Sequence, residues 1–165
     1  DNFFIKGSKY DLSEFLQDKK LSQKYDNGTL VIGRLNPTDY HRFHFPFDCI
    51  AKKAKLINGS LMSVNPLILM KNPQIFCQNK RMITILESKF FGNVIYVEIG
   101  ATFVGAIHQT YSPNKEYKKG QEKGYFSFGG SSIVMLFEKD KIKIDDDILE
   151  NSQKEIEVKG KFSQS

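Results

Sequence analysis

The sequence predicts an α+β fold, a β-rich sheet or sandwich-like core with one short N-terminal helix. From Gly28 onward, short β-prone runs alternate with turn dipeptides. Only the segment 10–16 spaces its apolar residues at helical intervals. A chain of 165 residues is long enough for one domain, 1–165, with a core of its own.

The elements follow in order. Phe3-Phe4-Ile5-Lys6-Gly7 reads as a short strand, and the helix at 10–16 takes Ser8 or Asp11 as its cap. Strands are expected at 29–35, 55–57, 82–86, 94–99, 103–111, 132–137 and 155–158. Asn27-Gly28, Asn36-Pro37, Asn58-Gly59, Phe91-Gly92-Asn93, Lys119-Gly120 and Asp140 separate them. Asn27-Gly28-Thr29 and Asn58-Gly59-Ser60 also fit a glycosylation sequon, but Asn-Gly is a strong hairpin signal and both read as turns. No internal repeat or heptad pattern is present, and the polar tail 159–165 should fray.

Hydrophobic residues make up 40% and charged residues 26%, the balance of an ordinary globular protein. No run approaches the ~20 apolar residues that span a bilayer. The start at Asp1, with neither methionine nor a signal-peptide pattern, suggests a piece of a longer protein. Net charge is +5, with lysines grouped at 52, 53 and 55 and at 115, 118, 119 and 123. Such groups favour nucleic acid or acidic lipid, or are simply solvated surface, and the second reading is preferred for each group alone. No RNA-binding aromatic motif or zinc finger accompanies them. Cys49 and Cys77 stand apart from each other, a pattern of idle buried thiols rather than a zinc site or disulfide framework.

Two segments carry chemistry. Gly129-Gly130-Ser131-Ser132 lies between Tyr125-Phe126-Ser127-Phe128 and Ile133-Val134-Met135-Leu136-Phe137. The glycines free the backbone, and a plain turn is the bland reading. The alternative is that the Ser131 hydroxyl folds back onto the Gly130 carbonyl. A nucleophile elbow is excluded, because Ile133 stands where that motif needs glycine. The second segment holds two of the three histidines, His41 and His44, among aromatic residues. They would share a face of a helix and take opposite faces of a strand. Pro46 disfavours helix at Phe45, so an irregular loop is expected. Catalytic, metal-binding and structural roles remain open, although H-x-x-H without a third ligand is a weak metal signal.

Taken together, Asn36-Pro37-Thr38-Asp39-Tyr40-His41-Arg42-Phe43-His44-Phe45-Pro46 and the Gly-Gly-Ser-Ser segment resemble the phosphatidylserine decarboxylase family. Collinear matches follow at Met62-Ser63-Val64-Asn65-Pro66, at Asn79-Lys80-Arg81, along Val97-Glu98-Ile99-Gly100-Ala101-Thr102-Phe103-Val104-Gly105-Ala106-Ile107, and at Lys119-Gly120-Gln121-Glu122-Lys123-Gly124-Tyr125-Phe126. The similarity runs from about residue 3 to residue 151.

The resemblance implies a proenzyme that cuts itself between Gly130 and Ser131. His44 would be the general base and Ser131 the nucleophile, with Ser131 becoming a covalent pyruvoyl cofactor. Fragments 1–130 and 131–165 would stay together as a heterodimer, with a homodimer as a further option. The pyruvoyl group would then support decarboxylation of phosphatidylserine to phosphatidylethanolamine, with His41 as proton donor. The family's orienting aspartate belongs to a motif upstream of this chain, and neither Asp39 nor Asp48 matches its position. His108 has no family role and reads as a surface or pocket-lining residue. Gly100 and Gly105 suit close strand packing rather than phosphate binding. Neither a metal nor a nucleic-acid partner is implied. The expected location is an anionic membrane surface, reached peripherally or through an upstream anchor. A non-catalytic β-rich lipid- or partner-binding module is the main alternative, and an ordinary serine hydrolase the third.

Overall fold

A computed structural model of the chain describes residues 2–5, 8–36, 38–64, 74–101, 106–127, 131–154 and 156–160. The elements are β1 (Asn2–Ile5), β2 (Ser8–Asp11), α1 (Leu12–Leu16), α2 (Lys19–Gln23), β3 (Thr29–Leu35), β4 (Arg42–His44), β5 (Cys49–Ala51) and β6 (Lys55–Ile57). They continue with α3 (Ile75–Gln78), β7 (Arg81–Ser88), β8 (Gly92–Ile99), β9 (Ala106–Gln109), β10 (Lys115–Tyr117), β11 (Glu122–Ser127), β12 (Ser131–Phe137) and α4 (Asp146–Gln153). The α+β class holds.

A seven-stranded antiparallel sheet has the order β10-β5-β7-β8-β12-β3, with β6 also paired to β7. A three-stranded antiparallel sheet has the order β4-β11-β9, and β1 and β2 form a separate hairpin. Side chains alternate across a strand, so the large sheet offers two faces to two cores. Val97 and Ile99 of β8, with Val134 and Leu136 of β12, join Phe15, Leu16 and Ile75 of the helices. Val94 and Tyr96 of β8, with Phe137 of β12, meet Phe43, Phe45 and Phe126 from the smaller sheet and its flank. The second core is an aromatic layer, with the Phe43 and Phe126 rings 4.9 Å apart edge to face. Each such buried ring contributes about 1.5–3 kcal/mol through lost water contact.

Several expectations need correction. The expected helix begins only at Leu12, because 8–11 is strand β2 and Asp11 alone supplies the cap. The Asp11 carboxylate accepts from Ser13 N at 2.7 Å and Glu14 N at 3.3 Å. Such a cap contributes about 1 kcal/mol. It is also not the only helix, since α2, α3 and α4 accompany it. α2 is five residues long and depends on Asp18, whose carboxylate accepts from Leu21 N. Of the run read as a strand at 155–158, residue 155 lies outside the described residues and 156–158 join no sheet among them. Ile156 N–H instead donates back to the Asn151 carbonyl of α4. His44 sits in strand β4 rather than in a loop. Part of the 103–111 run and all of Phe128-Gly129-Gly130 lie outside the described residues.

The strand β11 contains a bulge between Glu122 and Gly124. Two residues, Lys123 and Gly124, therefore stand opposite Phe43 alone, and both turn toward the core. Gly124 has to be glycine, since a Cβ there would lie 2.1 Å from the His108 carbonyl oxygen and 2.7 Å from the Phe43 ring. The bulge thus places an ammonium group in the aromatic layer. The lysine group at 115, 118, 119 and 123 is accordingly not all solvated surface, because Lys123 is fully buried.

Candidate active site

Ser131 opens β12, where it pairs with Leu35 of β3. Its position along the strand gives it the face of Ile133, Met135 and Phe137, which is the face of the aromatic layer. Ser132 takes the opposite face, with Val134 and Leu136. Both serines are 0% exposed, and neither hydroxyl has a hydrogen-bond partner among the described residues. An unpartnered buried hydroxyl costs about 1–3 kcal/mol. The Ser131 hydroxyl is directed into the layer shared with the histidine-bearing sheet. Nothing in the structure explains that cost for Ser132.

The histidines differ in their surroundings. In the ladder with β11, Arg42 stands opposite Tyr125 and His44 opposite Glu122, while Phe43 faces the core. His44 therefore lies on the outer face of the small sheet and is half-buried. Its Nδ1 donates to the Gly120 carbonyl at 2.9 Å, which leaves Nε2 to accept from the Tyr40 hydroxyl at 3.1 Å. The Tyr40 ring also stacks on the imidazole at 5.7 Å. Gly120 holds that carbonyl in place at φ +84°, where an L side chain is strained. Its N–H donates to the Phe45 carbonyl, and Phe45 N–H donates to the Gln121 carbonyl.

His41 precedes the strand, and its carbonyl accepts from Phe126 N–H at 2.9 Å. Its Nδ1 donates to the Asp39 carbonyl at 2.6 Å. Its Nε2 is buried and has no partner among the described residues. A neutral imidazole so held keeps its lone pair on Nε2. His41 and His44 thus both present Nε2 as the basic nitrogen, one unoccupied and one covered by a tyrosine.

The nearby carboxylates are engaged elsewhere. Asp39 accepts from Asn36 N–H at 2.8 Å. Asp48 accepts from Lys118 Nζ and Lys119 N–H, and the bond from Lys118 holds its carboxyl below the usual carboxylate range. His108 is exposed, stacks on Tyr125 at 4.6 Å and is hydrogen-bonded to Ser127 Oγ at 2.9 Å. Arg42 lies over the same tyrosine and pairs with Glu122. Cys49 and Cys77 are free and buried, and burial pushes both thiols up to about 11, which keeps them inert. Among the described residues, no three His, Cys, Asp or Glu side chains are placed to share a metal ion.

One cluster was not anticipated from sequence. Lys123 Nζ donates to Glu98 Oε1 at 2.5 Å, to Gln109 Oε1 at 2.7 Å and to Thr84 Oγ1 at 2.9 Å. Rings of Tyr111, Tyr96 and Phe43 surround the ammonium at 4.8, 5.1 and 5.6 Å. Burial pushes the Glu98 carboxyl up and the Lys123 ammonium down, and their direct contact opposes both shifts. The sequence held one clue, a lone glutamate in the otherwise apolar run Val94-Ile95-Tyr96-Val97-Glu98-Ile99.

The family profile described as phosphatidylserine decarboxylase matches residues 1–161. The chain belongs to the phosphatidylserine decarboxylase family. Among its relatives are phosphatidylserine decarboxylase proenzymes from three bacteria. The Chlamydia pneumoniae protein is 47% identical over 165 residues, covering 100% of this chain and 55% of that protein. The Clostridium novyi protein is 54% identical over 155 residues, covering 94% of this chain and 52% of the relative. The Fusobacterium nucleatum protein is 52% identical over 159 residues, covering 96% and 53% respectively. The chain thus spans about half the length of the curated relatives it matches.

Proposed function

We propose that this chain carries the self-cutting and decarboxylating centre of a phosphatidylserine decarboxylase. The observation that carries the reading is the Ser131 hydroxyl, buried and unpartnered among the described residues, at the head of β12 on the face toward the histidine-bearing sheet. The proenzyme names of the relatives are in keeping with a precursor that is processed.

In the cutting step, Ser131 Oγ forms a bond to the Gly130 carbonyl carbon, and the peptide C–N bond breaks. The Oγ proton passes to a histidine and then to the freed amine, leaving an ester. The resemblance assigns that base to His44. The ladders turn His44 to the outer face of the small sheet while Ser131 faces inward, so the two have to be brought together for the transfer. A serine hydroxyl is a weak nucleophile without such a base. The Gly120 carbonyl fixes the His44 tautomer, and the Tyr40 hydroxyl has to leave Nε2 before that nitrogen takes the proton. Loss of the Gly130 carboxylate by elimination, then hydrolysis with release of ammonia, turns residue 131 into a pyruvoyl group. The site fits that group, since residue 131 lies in a dry sheet interior with its side-chain oxygen unpartnered among the described residues. When formed, the pyruvoyl supplies an electron sink for loss of carbon dioxide from phosphatidylserine. His41, whose Nε2 has no partner among the described residues and carries the lone pair of the neutral ring, would take up a proton there and deliver it to the product.

Mass spectrometry of the full-length protein tests the reading. Two fragments joined at 130/131 are expected, the second blocked to N-terminal sequencing and lighter by the ammonia it lost. A binding module or a serine hydrolase stays in one piece.

His41→Ala should still cut itself but decarboxylate about 10²–10⁴-fold more slowly, the range for loss of a positioned acid. The Nε2 of His41, without a partner among the described residues, also favours a second assignment, with His41 as the base for cutting. An uncut His41→Ala protein supports that exchange of roles, and a cut, fully active one makes His41 structural.

Contact with the lipid is proposed to be peripheral and partly electrostatic. No helix among the described residues is long and apolar enough to cross a membrane. Each lysine near an anionic surface contributes about 1 kcal/mol. Co-sedimentation with phosphatidylserine-rich vesicles should therefore fall as salt rises through the range where screening acts. Salt-independent binding would point to a hydrophobic anchor.

A further inference from the structure

We infer that the buried Lys123–Glu98 pair is a positioning device that sets the histidine strand against the serine strand for self-cutting. The inference rests on the self-cutting reading above. Lys123 lies one residue past Glu122, which stands opposite His44 in the β4–β11 ladder. Glu98 stands opposite Ile133 in the β8–β12 ladder, two residues along β12 from Ser131. The pair therefore joins the two ladders that carry the proposed base and nucleophile. Gln109 of β9 and Thr84 of β7 complete the three acceptors of the ammonium, so both sheets take part.

Both side chains are 0% exposed. Replacing such a pair by apolar groups of similar volume is often neutral or stabilising. Stability alone therefore gives little reason to place it in an aromatic layer. Apolar contacts tolerate sliding and repacking, whereas three hydrogen bonds of fixed direction do not. A further mark of a built feature is the bulge, which turns Lys123 inward beside a glycine that admits no side chain. Lys123 and Glu98 are positioning residues that act through His44 and Ser131.

The test uses the full-length protein and follows the rate of cutting and the melting temperature of each variant. Lys123→Met/Glu98→Leu removes the pair without leaving a charge. It should melt at or near the parental temperature yet cut about 10²-fold more slowly, the loss expected from a misplacement of about 1 Å. Glu98→Gln keeps an acceptor oxygen at the same reach but leaves the buried amine without its counter-charge. It should melt lower than the double variant and still cut faster. Cutting that follows melting temperature across these variants, or a double variant that cuts at the parental rate, overturns the inference. If the double variant does not fold, Thr84→Val carries the test by removing one acceptor at constant shape. Slower cutting at near-parental melting is then expected, and the parental rate overturns the inference. A parental protein that never cuts overturns the self-cutting reading itself, and this one with it.

Discussion

Ser131→Ala is expected to leave the full-length protein whole and without the proposed decarboxylase activity. The substitution removes the hydroxyl that serves both as the nucleophile and, once esterified, as the group eliminated on the way to the proposed pyruvoyl group. Ser132 cannot stand in, because strand alternation turns its hydroxyl to the helical side of the large sheet. The variant should also fold at least as well as the parent. The deleted hydroxyl is buried without a partner among the described residues, and an orphan of that kind costs about 1–3 kcal/mol. An unchanged or raised melting temperature together with a single uncut mass would separate lost chemistry from lost structure. Whole Ser131→Ala protein that still releases carbon dioxide from phosphatidylserine would sink the proposal.

His44→Ala is expected to give the second largest effect, a chain that stays uncut over times in which the parent is fully processed. The loss of a positioned base costs about 10²–10⁴-fold, and activity falls with it because residue 131 remains serine. The variant also loses the bonds to Gly120 and Tyr40. At about 0.5–1.5 kcal/mol each, these lower stability modestly without unfolding the chain. His44→Asn adds a control, since its amide can donate to the Gly120 carbonyl but cannot take a proton from Ser131. It should therefore remain uncut with most of its stability restored. Fragments from either variant at the parental rate, read on a gel over time, would show that another group removes the proton. His41, whose buried Nε2 has no partner among the described residues, is then the candidate to examine.

The legibility of this chain depended on how local each signal was. β3 and β6 match the runs read at 29–35 and 55–57 because alternation and flanking turn residues are local patterns. The turn at Phe91-Gly92-Asn93 was legible for the same reason, and Gly92 adopts φ +71° there. Strands β4, β5 and β10 are three residues each and carry no period of their own. They exist because distant partners supply their hydrogen bonds, as β5 does for β10 and β11 for β4. The short helices escaped notice for a related reason, since one or two turns depend on a cap and on packing more than on propensity.

By itself, the sequence determined the fold class, the family and the residue types that the proposed chemistry needs, because those are written in spacing and order. It could not say which serine meets the histidine-bearing sheet, which faces His41 and His44 occupy, or that Lys123 is buried while its neighbours in sequence are not. Those depend on strand parity, on a one-residue bulge in β11 and on the packing of two sheets. Side-chain direction in a strand reverses with every residue, so only the assembled ladders settle which groups share the interior.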